Sequence, residues 1–141
     1  MIKKRRVILG CTIFVLLFLI GWTVESIHIS KLVEQTFAMA YESNGQYEMD
    51  QYPVAFDESE LVFVNYRQSF YYNDDFISEK TQRTFPITVH FFFMATTTFQ
   101  YDYYAVYPGN IEVGGSHVSV KINLRFESGK WHITDFLLPN Q

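Results

Sequence analysis

Hydrophobic positions fall into three regimes along the chain. From Val7 to Val24, eighteen consecutive positions carry no charge, and twelve of them are Leu, Ile, Phe or Val. As a helix this run is about 27 Å long, close to the hydrocarbon thickness of a bilayer. On the insertion scale those twelve residues sum to about −4 to −7 kcal/mol, an upper bound because the scale refers to the helix centre. The run predicts a membrane-spanning helix with Trp22 as an interfacial aromatic at its outer edge. The competing reading is a cleaved signal peptide. It requires a shorter apolar region and a small-residue cleavage site, for which "WTVES" is a poor fit.

The second regime has the helical period. Ile29, Leu32, Val33, Thr36, Phe37, Ala40 and Tyr41 lie on one stripe, and Asn44-Gly45 is a suitable helix stop. Nothing breaks the pattern between Trp22 and Ser43, so the membrane helix is expected to run on, straight or through a bend, into a helix that packs on the domain, as one helix or two. "GQYEMDQY" reads as a short further helical turn before Pro53.

The third regime alternates with period two. "LVFVNYRQSFYY" is ambiguous between helix and strand, with a lean to strand, and "NDDFISEKTQRT" reads as a polar connection or irregular edge. From Phe85 the strand pattern is strong. Phe85, Ile87, Val89, Phe91 and Phe93 share one phase, and Phe99, Tyr101, Tyr103, Ala105 and Tyr107 share another. "YPGN" is a turn, and Gly114-Gly115 suggests a bulge or second turn. Val118, Val120, Ile122, Leu124 and Phe126 then face one way. With Ser128-Gly129 as a hairpin turn, Glu127 opposes Lys130, Phe126 opposes Trp131 and Leu124 opposes Ile133. Ile122 would next meet Asp135, so a bulge or strand end is expected near Asp135, with Phe136 restoring the apolar contact in shifted phase. The fold class expected is α+β: an amino-terminal transmembrane helix, then a helix packed on a bent antiparallel sheet.

Composition and charge sharpen the picture. Aromatic residues make up 18% of the chain, with fourteen Phe and ten Tyr, which favours sheet. All fifteen acidic residues lie from Glu25 onward with seven Lys or Arg, giving that part −8, while Lys3, Lys4, Arg5 and Arg6 give the amino end +4. The positive-inside rule keeps the tetrad cytoplasmic. The chain thus divides into a basic cytoplasmic tail (1–6), a transmembrane helix (7–24) in contact with membrane lipid, and an extracytoplasmic domain (25–141) of the cell membrane. An acidic domain lacks the footprint for nucleic acid. Single Cys11 excludes an internal disulfide.

The final hairpin "FESGKWHITDF" carries a resemblance. A helix, a turn at "SNGQY", a long meander and a closing hairpin with Gly129, Lys130, Trp131, Ile133 and Phe136 resemble the NTF2-like and cystatin-like superfamily. Some members, including VirB8-type assembly factors of secretion machines, are held by one amino-terminal membrane helix. A long third helix before the sheet, part of the fuller pattern, is not evident.

No catalytic or metal constellation emerges, and no cofactor is implied. His117 and His132 lie on one polar face but about 26 Å apart along the strand. Asp102 shares its phase with Gln100 and reads as solvent-facing, and Asp74, Asp75 and Glu79 match no calcium loop. The aromatic excess is the remaining feature. "HFFFM" is apolar in both phases, so Phe92 and Met94 need a contact outside the main core. Phe92, Met94, Tyr101, Tyr103, Tyr104 and Tyr107 form the candidate partner or ligand surface. The expected role is a noncatalytic protein-interaction or assembly module of the cell envelope with a protein partner there. A small apolar ligand in the sheet concavity is the alternative.

Overall fold

In the computed structural model, residues 2–42, 47–57, 59, 64 and 78–137 are described, with the side chains of 2–7, 78–80, 103 and 116 excepted. One unbroken helix, α1 (Ile2–Glu42), supplies both the apolar run and the helical stripe. It carries no proline to interrupt its hydrogen bonds, and it is long and apolar enough to cross a membrane. Its two halves differ in surroundings. Ile8 to Ile20 is exposed throughout, whereas Ile29, Val33, Phe37 and Ala40 are buried, with Leu32 and Tyr41 packed beside them.

The sheet that covers the second half is an antiparallel meander. β1 (Ser78–Arg83) and β2 (Ile87–Phe91) lie end to end along one edge of β3 (Met94–Tyr107), and β4 (Ile111–Glu127) and β5 (Lys130–Leu137) follow on the other side. β1 falls where a polar connection or irregular edge was expected. Its sequence SEKTQR has no apolar alternation because an edge strand that is charged resists pairing with other chains. The expected strand within residues 57–77 lies outside the described residues except at Val64, which is helical and wholly buried. Asn44-Gly45 also lies outside them. The short turn expected before Pro53 is a 3-10 helix, Met49–Gln51.

The closing hairpin has the register read from the sequence: Glu127 opposes Lys130, Phe126 opposes Trp131 and Leu124 opposes Ile133. The register then shifts between Asn123 and Leu124, so that Ile122 meets Phe136 instead of Asp135. A one-residue bulge lets an apolar face continue past a charged position. A second bulge separates Tyr101 from Tyr103, where β4 spends one more residue than β3. His117 takes a left-handed backbone there (φ 56°). Gly115 is required at this point, because a Cβ would stand 2.8 Å from a Val118 methyl.

The core lies between α1 and the sheet. Phe37 meets Phe99 edge-on at 4.9 Å and Phe136 at 6.5 Å, over Val120, Ile122 and Leu124. Each such side chain contributes roughly 1.5–3 kcal/mol through burial. Tyr52, Val54 and Phe56 close one side, and Ala55 pairs with β5 through two 2.8 Å backbone bonds, Ala55 N–H to Trp131 O and Ile133 N–H to Ala55 O. Helix and sheet therefore share a single α+β core.

Candidate functional site

The junction of α1 with the β2–β3 hairpin is built from polar groups. Trp22 Nε1 donates to the His90 carbonyl at 2.8 Å, and its ring stacks on His90 at 5.7 Å. Ser26 Oγ is hydrogen-bonded to His90 Nδ1 at 2.9 Å. One turn on, Ser30 Oγ bonds Thr88 Oγ1 at 2.9 Å, and Thr88 bonds Thr97 Oγ1 at 2.7 Å. Trp22, Ser26 and Ser30 are spaced four apart, so they lie on one helix face. Buried hydroxyls of this kind are tolerated because each finds a partner.

This arrangement inverts β2 relative to the reading in which its apolar row meets the core. Thr88 and His90 point to the helix, while Ile87, Val89 and Phe91 point outward and are exposed. The turn that follows is equally apolar: Phe92 is 73% exposed and Phe93 and Met94 are exposed beside it. Phe92 has φ 52°, a left-handed conformation that glycine adopts freely and that costs a phenylalanine about 1–2 kcal/mol.

The predicted aromatic surface is not one surface. Phe92 and Met94 sit at the β2–β3 tip, exposed. Tyr101 is a correction: at 8% exposure it belongs to the core, because its phase on β3 faces α1 along with Phe99 and Ala105. Burial pushes its phenol pKa up. Tyr107 is half-buried against the core at the opposite end of β3, about 44 Å along the strand from Met94. Tyr104 is half-buried in the other phase, and the side chain of Tyr103 lies outside the described residues. Beyond Tyr107, Ile111 and Val113 on β4 extend the apolar face into the open. The side chains of Lys3, Lys4, Arg5 and Arg6 lie outside the described residues, their backbone being the first turns of α1.

Asp102 has a structural task. It accepts the backbone N–H of His117 at 2.6 Å and holds the bulge closed, with the His117 ring 3.5 Å away and largely exposed. Beside it Arg83 Nη1 is buried without a hydrogen-bond partner among the described residues. The cleft they share is only about 90 Å³, too small for an organic substrate. No cluster of His, Cys, Asp or Glu able to hold a metal ion occurs among the described residues; Asp74 and Asp75 lie outside them.

Sequence reasoning missed the Trp22–His90 link and the hydroxyl chain. Their signal was the Trp22, Ser26, Ser30 spacing, which continues the apolar stripe in polar form. Compared with family models, curated proteins and solved structures, the chain shows no match in any of the three.

Proposed function

We propose that this chain is a single-pass membrane protein whose α+β domain, of NTF2-like or cystatin-like type, stands outside the cytoplasm as a noncatalytic interaction or assembly module of the envelope. The observation that carries this reading is the continuity of α1. One helix without a break provides the lipid-sized apolar run and the cover of the sheet. A partner would meet the domain in a fixed orientation at a fixed height. Lys3 to Arg6 set the amino end inside by the positive-inside rule, and the acidic domain follows on the far side. VirB8-type factors share the plan of one anchor and one outer domain, and are an analogy of plan alone.

The helix also covers the core face of the sheet. Phe37 occupies the space between Phe99 and Phe136 that an apolar ligand would need. Docking then falls to surface that α1 leaves open, and the membrane-distal end of β3 and β4 offers Tyr107, Ile111 and Val113. Exposed apolar positions next to a packed core are the usual composition of a protein contact.

Two measurements test this reading. A reporter active only outside the cytoplasm, fused to Gln141, gives signal; a stable but silent fusion overturns the orientation. A photo-crosslinking residue at Ile111, in the intact protein in its own membrane, gives a discrete protein adduct that the same residue at Ser119 does not. Identical patterns at both positions, or none, remove the docking role.

A further inference from the structure

The β2–β3 tip presents Phe91, Phe92, Phe93 and Met94 as four consecutive exposed apolar residues, with nothing of the sheet to cover them. We propose that this tip is a second membrane contact, seated among the acyl chains of the outer leaflet beside α1. The inference rests on the helix lying in a bilayer, and it adds that the domain itself reaches into that bilayer.

Position is the first support. The tip and the helix form a groove of about 590 Å³ whose helix wall is Leu17, Phe18, Gly21 and Trp22 and whose sheet wall includes Phe91 and Phe92. Leu17 precedes Val24, the end of the apolar run, by seven residues. That places it about 10 Å inside a leaflet whose hydrocarbon is about 15 Å thick. The groove runs from Trp22, about 3 Å inside the end of the run, to Leu17, so the side chains that line it opposite lie between those depths. The lipid that solvates the helix is therefore the medium that meets the tip. A soluble partner would have to displace it.

Chemistry is the second. From Thr84 to Tyr101 there is no Asp, Glu, Lys or Arg. On β2 the polar residues Thr88 and His90 turn inward to the helix and Ile87, Val89 and Phe91 turn outward, whereas on β3 Thr96, Thr98 and Gln100 face outward, so the apolar outer row is confined to β2 and the turn. A sheet whose outer face meets water alternates the other way. The carbon-rich outer row is the pattern of a lipid-facing surface.

Pairing of two backbone carbonyls is the third, since hydrocarbon penalises unpaired peptide groups. The Phe93 carbonyl accepts the Phe126 N–H at 2.8 Å, and the carbonyl of His90 on edge strand β2 accepts Trp22 Nε1 at 2.8 Å. Trp22 thereby fastens the hairpin to the helix at the level where indole rings gather in membranes. Phe92 keeps its aromatic ring at a turn position whose φ of 52° suits glycine or asparagine better. Depth has a limit. Arg125, opposite Met94 across the ladder and ion-paired with Glu127 at 3.2 Å, and Lys130 across the β4–β5 turn are charges that have to stay at headgroup level, so only the tip nearest α1 enters.

The test uses the full chain, with Cys11→Ser, reconstituted in phosphatidylcholine–phosphatidylglycerol vesicles. Single cysteines at Leu17, Phe92 or Ser119 carry an environment-sensitive fluorophore, quenched either by acyl-chain-brominated lipid or by aqueous iodide. The Leu17 and Phe92 probes should lose about half or more of their emission to brominated lipid, and Ser119 should respond only to iodide. A probe at Val89, with Phe92 retained, should behave as the Phe92 probe does. Should iodide reach Phe92 and Val89 while lipid quenches Leu17, the tip is in water and the inference fails with the span intact. Shielding of both tip probes from both quenchers would mean a protein covers the tip, which also overturns it. Iodide quenching at Leu17 would remove the span and the inference together.

Discussion

Phe37→Ala tests whether α1 and the sheet form one body. The Phe37 ring is 2% exposed and contacts Phe99 at 4.9 Å and Phe136 at 6.5 Å, so truncation leaves a cavity under two strands. Phe-to-Ala changes in cores cost about 3–5 kcal/mol, of which the aromatic pair supplies about 0.5–1.5. Against a total of about 5–15 kcal/mol for a domain, that is a large fraction. For a folded part of this size the midpoint should fall by roughly 10–20 °C. The assay is thermal unfolding of the full chain in nanodiscs, followed by emission of Trp131, which is buried beside Phe126 at 5.3 Å. Phe37→Leu should retain most of the stability, because it conserves much of the volume. Phe18→Ala, on the exposed half of the same helix, should leave the midpoint within about 2 °C. A drop smaller than that for Phe37→Ala would show that residues 29–40 do not cover the sheet, and the fixed mounting of the domain would fall with it.

Three further outcomes are expected. Gly115→Ala should cost about 1–3 kcal/mol in the same unfolding assay, because the new methyl meets Val118 at 2.8 Å; an unchanged midpoint would mean that the bulge is loose. Asp102→Ala removes the acceptor of the His117 N–H and should cost about 1 kcal/mol, discounted for its partly exposed site, with no loss of secondary structure by circular dichroism. Tyr101 has its pKa raised above the ordinary 10.0 by burial, so ionisation favours the unfolded chain. Its contribution is intact below about pH 10 and declines as pH rises toward the folded-state value, by at most about 1.4 kcal/mol per pH unit. Tyr101→Phe should flatten that decline, and parallel curves for both proteins would refute the assignment.

What the sequence disclosed depended on how local each signal was. The β4–β5 register was legible because a two-residue turn and three cross-strand pairs fix it, and Asp135 announced its own bulge by falling in an apolar phase. The stripe from Ile29 to Tyr41 was legible for the same reason: one period and one burial partner. β2 was not. Alternation states which residues share a face but not which medium that face meets, and the shared phase of Ile87, Val89 and Phe91 turns away from the core. Tyr101 failed in the opposite direction, counted as surface although its phase matched buried Phe99. The junction itself depends on a contact between Trp22 and His90, far apart in the chain, which no local pattern encodes. β1 escaped notice because an edge strand has little to bury.

The absence of a hinge in α1 has a mechanical consequence. Because the helix runs from Ile2 to Glu42 without interruption, the sheet cannot swivel independently of the segment in the bilayer. Thicker or thinner lipid changes the inclination of such a segment. An inclination change of about 10° would carry the far end of β3, about 44 Å along the strand from Met94, through roughly 8 Å. The domain is in effect a pointer whose reading depends on the thickness of the lipid around its shaft.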